Sequence, residues 1–167
     1  MKKIGPPDSH YLSAAVGWLE LGSPAEALAE LERVSARLEK NPDVLELRWA
    51  IYAAQKNWDD ALRIARTLVA AAPQRASGWL HLSYSLRRVS DGGAEKALKA
   101  LLPAIEKFPK EPTIPYNLSC YACQVRRLPE ARAWLKRALE VGERERIKKL
   151  ALDDADLEPL WPEIKEF

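Results

Sequence analysis

The sequence predicts an all-α protein, a stack of helix pairs finished by a C-terminal capping helix. Three observations carry that expectation. The composition favours helix: the 167 residues include only 7 Gly, with Ala, Leu, Glu, Lys and Arg abundant. A short apolar motif returns every 34 to 36 residues. Helix-starting and helix-stopping residues punctuate each copy at corresponding places.

Length and charge narrow the possible functions. A chain of 167 residues can bury one core of ordinary size. The formal net charge is only +2, so no strong attraction to nucleic acid is expected. Met1-Lys2-Lys3-Ile4-Gly5-Pro6-Pro7 has no apolar stretch behind its charges, so no secretory leader is expected. No run is long enough to span a bilayer, and no membrane association is expected. The two cysteines, Cys120 and Cys123, give no disulfide framework, which suits a reducing, cytoplasmic location.

The repeat is found by spacing. Ala27, Ala61, Ala97 and Ala131 sit in similar contexts and are 34, 36 and 34 residues apart. An upstream series, Trp18, Tyr52, Leu86 and Ala122, is spaced by 34, 34 and 36. Two additional residues therefore fall between Leu86 and Ala97, where Ser90-Asp91-Gly92-Gly93 reads as an enlarged turn.

This pattern resembles the tetratricopeptide repeat, whose consensus runs Trp-x2-Leu-Gly-x2-Tyr, then Ala-x3-Phe, then Pro. The third copy matches best, with Trp79, Leu82, Ser83, Leu86, Ala97, Leu101, Ala104 and Pro109. The second has Tyr52, Ala61, Leu68 and Pro73, with Trp49 where a small residue is usual. The first has Tyr11, Ala15, Trp18, Ala27, Leu31 and Val34, and its closing Pro42 is displaced. The fourth has Leu118, Ser119, Ala122, Ala131, Leu135 and Ala138 but no closing proline. The resemblance implies a right-handed α-α superhelix, a solenoid of four helix pairs plus the capping helix. In such a fold the recurring alanine lies where the second helix crosses the first. A larger side chain would push the two apart.

The resulting division is an extended or disordered segment 1–7, four repeats over 8–142 (about 8–41, 42–75, 76–111 and 112–142), and a cap with an acidic tail over 143–167. Helices are expected near 9–21, 24–39, 43–55, 58–72, 76–89, 94–108, 113–126 and 129–141, with a ninth near 143–152. Ser23-Pro24-Ala25-Glu26 reads as a capping box, and Asn57 as an N-cap. Pro103 stands inside a predicted helix and should kink or break it. The tail places Leu157, Leu160, Trp161 and Ile164 at helical spacing, but Pro159 and Pro162 limit it to a turn or two. It reads either as a second cap on the last helix or as an acidic peptide occupying a groove.

By the same resemblance, the first helix of each pair lines a concave, partner-binding face. The residues carried over are Leu12, Val16 and Leu19, then Glu46, Ala50 and Ala53, then Leu80, Tyr84, Arg87 and Arg88. The fourth copy adds Tyr116, Asn117, Cys120, Cys123 and Gln124. This surface is apolar and aromatic with a basic end, which suits a peptide or protein segment with apolar anchors and some negative charge. Tyr84, Tyr116 and Arg87 are the expected hot spots, although either tyrosine could instead pack between repeats. Leu12 and Val16 occupy the positions where chaperone-tail binders carry Lys and Asn, so that ligand class is not expected.

No catalytic constellation, phosphate-binding loop or cofactor motif is recognisable, and no enzyme activity, cofactor or metal is expected. Cys120-Tyr121-Ala122-Cys123 is formally a C-x-x-C, but it lies inside a predicted helix, and His10 and His81 have no ligand spacing to it. His81 is expected on a partly exposed helix face. The expected function is a non-catalytic interaction scaffold. The alternatives are a self-associating structural protein, hence a homo-oligomer, and a thiol-redox or metal-binding protein using Cys120 and Cys123.

Overall fold

The computed structural model describes residues 4–166, and among them all regular structure is helical. Of the N-terminal segment 1–7, residues 1–3 lie outside the described residues, as does Phe167 of the cap segment. Residues 4–7 are irregular or turn, and Ile4 packs against the first core cluster. The chain divides into two compact units, Met1–Ser85 and Leu86–Phe167.

The first unit holds α1 (Asp8–Glu20), α2 (Pro24–Glu32), α3 (Pro42–Ala54), α4 (Trp58–Ala71) and α5 (Ala76–Leu86), whose last residue opens the second unit. Asn57 caps α4 as expected, its Oδ1 accepting the Asp60 N–H at 3.3 Å. Asn41 does the same for α3 through Asp43 N–H at 2.9 Å. Ser23 makes no side-chain cap at α2, so the expected capping box is not formed. Pro24 at the first turn supplies the preset φ instead.

α2 ends at Glu32, well short of the expected 39. Val34, Ser35 and the 3-10 turn Ala36–Leu38 follow. The reason is tertiary. Ser35 gives both its N–H and its hydroxyl to Asp8 Oδ1, each at 2.8 Å, and Arg37 reaches Asp8 Oδ2 at 3.1 Å. An amide committed to Asp8 cannot close a helical bond. The Ser35 N–H, ahead of its other donors, holds the buried Asp8 carboxyl below its ordinary pKa.

The second unit holds α6 (Ala94–Leu101), α7 (Ala104–Lys107), α8 (Thr113–Gln124), α9 (Leu128–Val141) and α10 (Arg144–Asp153). A 3-10 turn, Ala155–Leu160, and α11 (Trp161–Ile164) complete it. The break between α6 and α7 falls at Leu102-Pro103, where proline cannot supply the N–H that a continuous helix needs.

Ala27, Ala61, Ala97 and Ala131 each have 0% of their surface exposed. The upstream series also has a backbone role. Ser23 N–H bonds Trp18 O, Asn57 N–H bonds Tyr52 O, and Arg127 N–H bonds Ala122 O, all at 2.9 Å. These are the wide hydrogen bonds of a helix C-terminal lock, and the residue before each donor has positive φ: Gly22 at 75°, Lys56 at 57° and Arg126 at 61°. In the third copy the Leu86 carbonyl accepts from Gly93, with φ of 113°, so the bond spans the enlarged turn. A Cβ on Gly92 would lie 1.8 Å from the Leu86 oxygen, so only glycine fits there.

Candidate partner-binding face

In the first unit the face assigned to the first helices is open along part of its length. Val16 on α1 is 42% exposed and Tyr84 on α5 is 37% exposed. Leu12, Leu19, Ala50, Ala53 and Leu80 are half-buried. Glu46 is held in place: its Oε1 accepts the Ser77 hydroxyl at 2.5 Å and Arg75 Nη1 at 3.2 Å.

An aromatic cluster supports Tyr84. Trp49 stacks flat on His81, with ring centroids 3.6 Å apart and an 8° interplanar angle. Tyr84 meets Trp49 edge-on at 6.0 Å and Trp58 at 5.8 Å. The Trp49 indole N–H donates to Ser85 Oγ at 2.9 Å. His81 is half-buried on α5, on a partly exposed helix face as expected, with an indole stacked over its ring. Its burial pulls the pKa down to about 4, against the opposing charge of Glu46. Sequence reading missed this cluster. The available signal was Trp49, a large ring at a position where the repeat pattern takes a small residue.

A depression of about 600 Å³ in this unit is lined by Glu32, Ser35, Glu39, Lys40, Arg48 and Arg63. It includes none of the residues assigned to the face.

In the second unit the corresponding face is covered. Tyr116, Cys120 and Cys123 on α8 are buried, Asn117 is half-buried and only Gln124 is exposed. The cover is the acidic tail. Asp154 Oδ2 accepts the Tyr116 hydroxyl at 3.0 Å and the Cys120 thiol at 3.6 Å. Asp156 accepts both Arg87 guanidinium nitrogens, at 2.5 and 2.7 Å, and the Gln124 amide at 2.5 Å. Leu157, Leu160 and Ile164 have no exposed surface. Further along, Glu163 pairs with Arg132 on α9, and the Trp161 indole donates to Ala151 O at 3.0 Å. The tail is thus a cap and the occupant of the α8 face at once. Arg88 is half-buried on the segment after α5.

The electrostatics follow from this cover. Burial lowers the Arg87 pKa, but the bond to Asp156 and its charge more than offset that, so the net shift is upward. Burial first, then the neighbouring thiol and carboxylates, push Tyr116 up. Burial pushes Cys123 up to about 11 and Cys120 further, with Asp154 and Asp156 adding to both. These upward shifts favour the protonated thiols, whereas reactive and metal-binding cysteines have lowered values. Cys120 Sγ and oxygens of Asp154 and Asp156 do lie within 4.8 Å of one another. Arg87, Tyr116 and Gln124 already take those carboxylates, so the cluster is built as a hydrogen-bonded ion-pair site. Among the described residues no helix is long and apolar enough to cross a membrane.

Comparison with known proteins agrees with this architecture. Residues 19–82 match the family described as tetratricopeptide repeat. TTC0263, a thermophilic TPR protein of Thermus thermophilus, superposes with a TM-score of 0.70 at 23% identity, over 94% of this chain and 82% of its own. A crystal structure of MamA gives 0.71 at 16% identity, over 83% and 80%. MamA from Desulfovibrio magneticus RS-1 gives 0.51 at 20% identity, over 83% and 97%. Likenesses at these identities carry the fold alone. No curated protein matches in sequence.

Proposed function

Because residues 19–82 match the tetratricopeptide-repeat family and the helix pairs share the fold of such proteins, we propose that the chain is a non-catalytic scaffold that holds a peptide or protein segment on the first-helix face of residues 4–85. The family's fold is that of a protein-interaction scaffold, which is the coarse part of the reading. The finer part rests on one contrast. The α8 face is filled by the chain's own tail, whereas Val16 and Tyr84 remain exposed and the small residues Ala50 and Ala53 are half-buried. Small residues between larger apolar ones leave room for a partner's side chains, and aromatic side chains dominate such contacts. A peptide or protein in a cytoplasmic setting is the partner class; nucleic acid and membrane are not.

Affinity capture with the wild type and a Val16→Glu/Tyr84→Ala variant tests this. The expected result is loss of captured partners from a variant whose helical circular dichroism is unchanged. Equal recovery by both proteins would place the binding surface elsewhere.

One observation favours a second reading, self-association. Leu21 at the end of α1 is 76% exposed and lies one turn from Trp18, which is 40% exposed. Light scattering over a concentration series decides it: mass that grows with concentration and is lost in Leu21→Glu supports a homo-oligomer, and a constant monomer mass removes it.

A further inference from the structure

We infer that the α8 face, together with Arg87, is a reader of acidic segments in which two carboxylates stand two residues apart, and that residues 154–157 are its resident, exchangeable ligand. This rests on the reading of first helices as partner-binding elements, and it gives one of them a ligand chemistry.

The site is built for two carboxylates. Tyr116, Cys120 and Gln124 follow one another at four-residue steps, so they form a single ridge along α8, rising about 6 Å per step. The first two donate to Asp154 and the third donates to Asp156. Arg87 adds a two-pronged bond to Asp156 from outside the helix, a geometry that selects a planar carboxylate. Asp154 uses its other oxygen to accept the Asp156 N–H at 3.0 Å. The segment is therefore folded by the same carboxylate that Tyr116 reads. A ligand of this class is Asp-x-Asp-Leu at the start of a helical turn. A sulfonate or an isolated carboxylate cannot satisfy both halves.

The tail is anchored in two separable places. Glu163 and Trp161 hold the far part to α9 and α10. The strap over α8 holds through the bonds to Asp154 and Asp156 and the buried Leu157, and its ion pair to Arg87 keeps about a fifth of each side chain's surface in water. In the proposed exchange, residues 154–157 lift, Leu157 leaving its buried seat, while 161–164 stay docked. While closed, the strap competes from within the same molecule, so a partner's segment meets only the open fraction of the site.

The test uses the full chain and a fluorescent peptide, Asp-Asp-Ala-Asp-Leu-Glu-Pro-Leu, followed by anisotropy at low salt. An Asp154→Ala/Asp156→Ala/Leu157→Ala variant removes the resident carboxylates and the buried leucine while leaving Tyr116, Cys120, Gln124 and Arg87 in place, and should bind the peptide about tenfold or more tightly than the wild type. Adding Arg87→Glu should abolish the gain, and a peptide with the same residues but carboxylates three apart should bind no better than to the wild type. Asp154→Asn/Asp156→Asn is the conservative version should the first variant fold poorly. Equal binding by wild type and opened variants, or indifference to Arg87 or to spacing, overturns the inference. The outcome is independent of the Val16/Tyr84 capture experiment, which probes residues 1–85 alone.

Discussion

Ala61 has no exposed surface, and Ala27, Ala97 and Ala131 share that condition. Substituting Ala61→Leu should cost roughly 1–3 kcal/mol by overpacking, read as a lower urea midpoint. The turn residues give the opposite case. Lys56 and Arg126 carry a left-handed backbone penalty that glycine does not. Lys56→Gly and Arg126→Gly should each raise stability by about 0.5 kcal/mol, the relief of strain exceeding the added freedom of the unfolded chain. His81 sets a pH dependence. Its folded pKa is depressed to about 4 from 6.5, so below pH 6.5 the unfolded chain takes a proton that the folded chain refuses. Stability should therefore fall as pH drops from 6.5 to 4, by about 2–3 kcal/mol in total, and His81→Phe should flatten that slope in urea titrations. The alanines were legible in the sequence because they recur. The Trp49–His81 stack and the Asp8–Ser35 bonds were not, because each is a single event at a separation outside the repeat period.

At the scale of elements, the sequence signals worked where a helix ends for local reasons. Pro103 broke its helix, and Asn57 capped α4. They failed where the ending is tertiary. Leu31, Val34 and Leu38 follow helical spacing, yet Ser35 leaves the helix to satisfy Asp8. Asp8→Ala should accordingly lower the melting temperature and speed amide exchange at Ser35 and Leu38, with little change elsewhere. The tail is the element on which the candidate site turned. Its spacing and acidity were readable, but not that its carboxylates would meet Tyr116 and Arg87, two of the residues assigned to the open face. Glu163 adds an acid dependence. Arg132 holds its carboxyl below the usual pKa, chiefly by hydrogen bonding. Its contribution is present above the unfolded value and is lost as pH falls through the lower folded one. Acidification below about pH 4.5 should loosen the tail first, seen as faster amide exchange over 161–164.

Across the whole chain, the same helix-pair pattern is put to two uses. In residues 86–166 the first-helix face is closed by a segment that also caps the last pair, and two thiols lie beneath it. In residues 4–85 Val16 and Tyr84, assigned to that face, are exposed. The repeat period marked both faces equally and could not tell them apart, since what separates them lies outside the repeats. Hydroxyl-radical footprinting of the native protein tests this difference in one measurement. Fast modification at Val16, Tyr84 and Leu21, with Tyr116, Cys120 and Cys123 modified far more slowly, is the predicted pattern. Rapid modification of Tyr116 or Cys120 in the native state would contradict it.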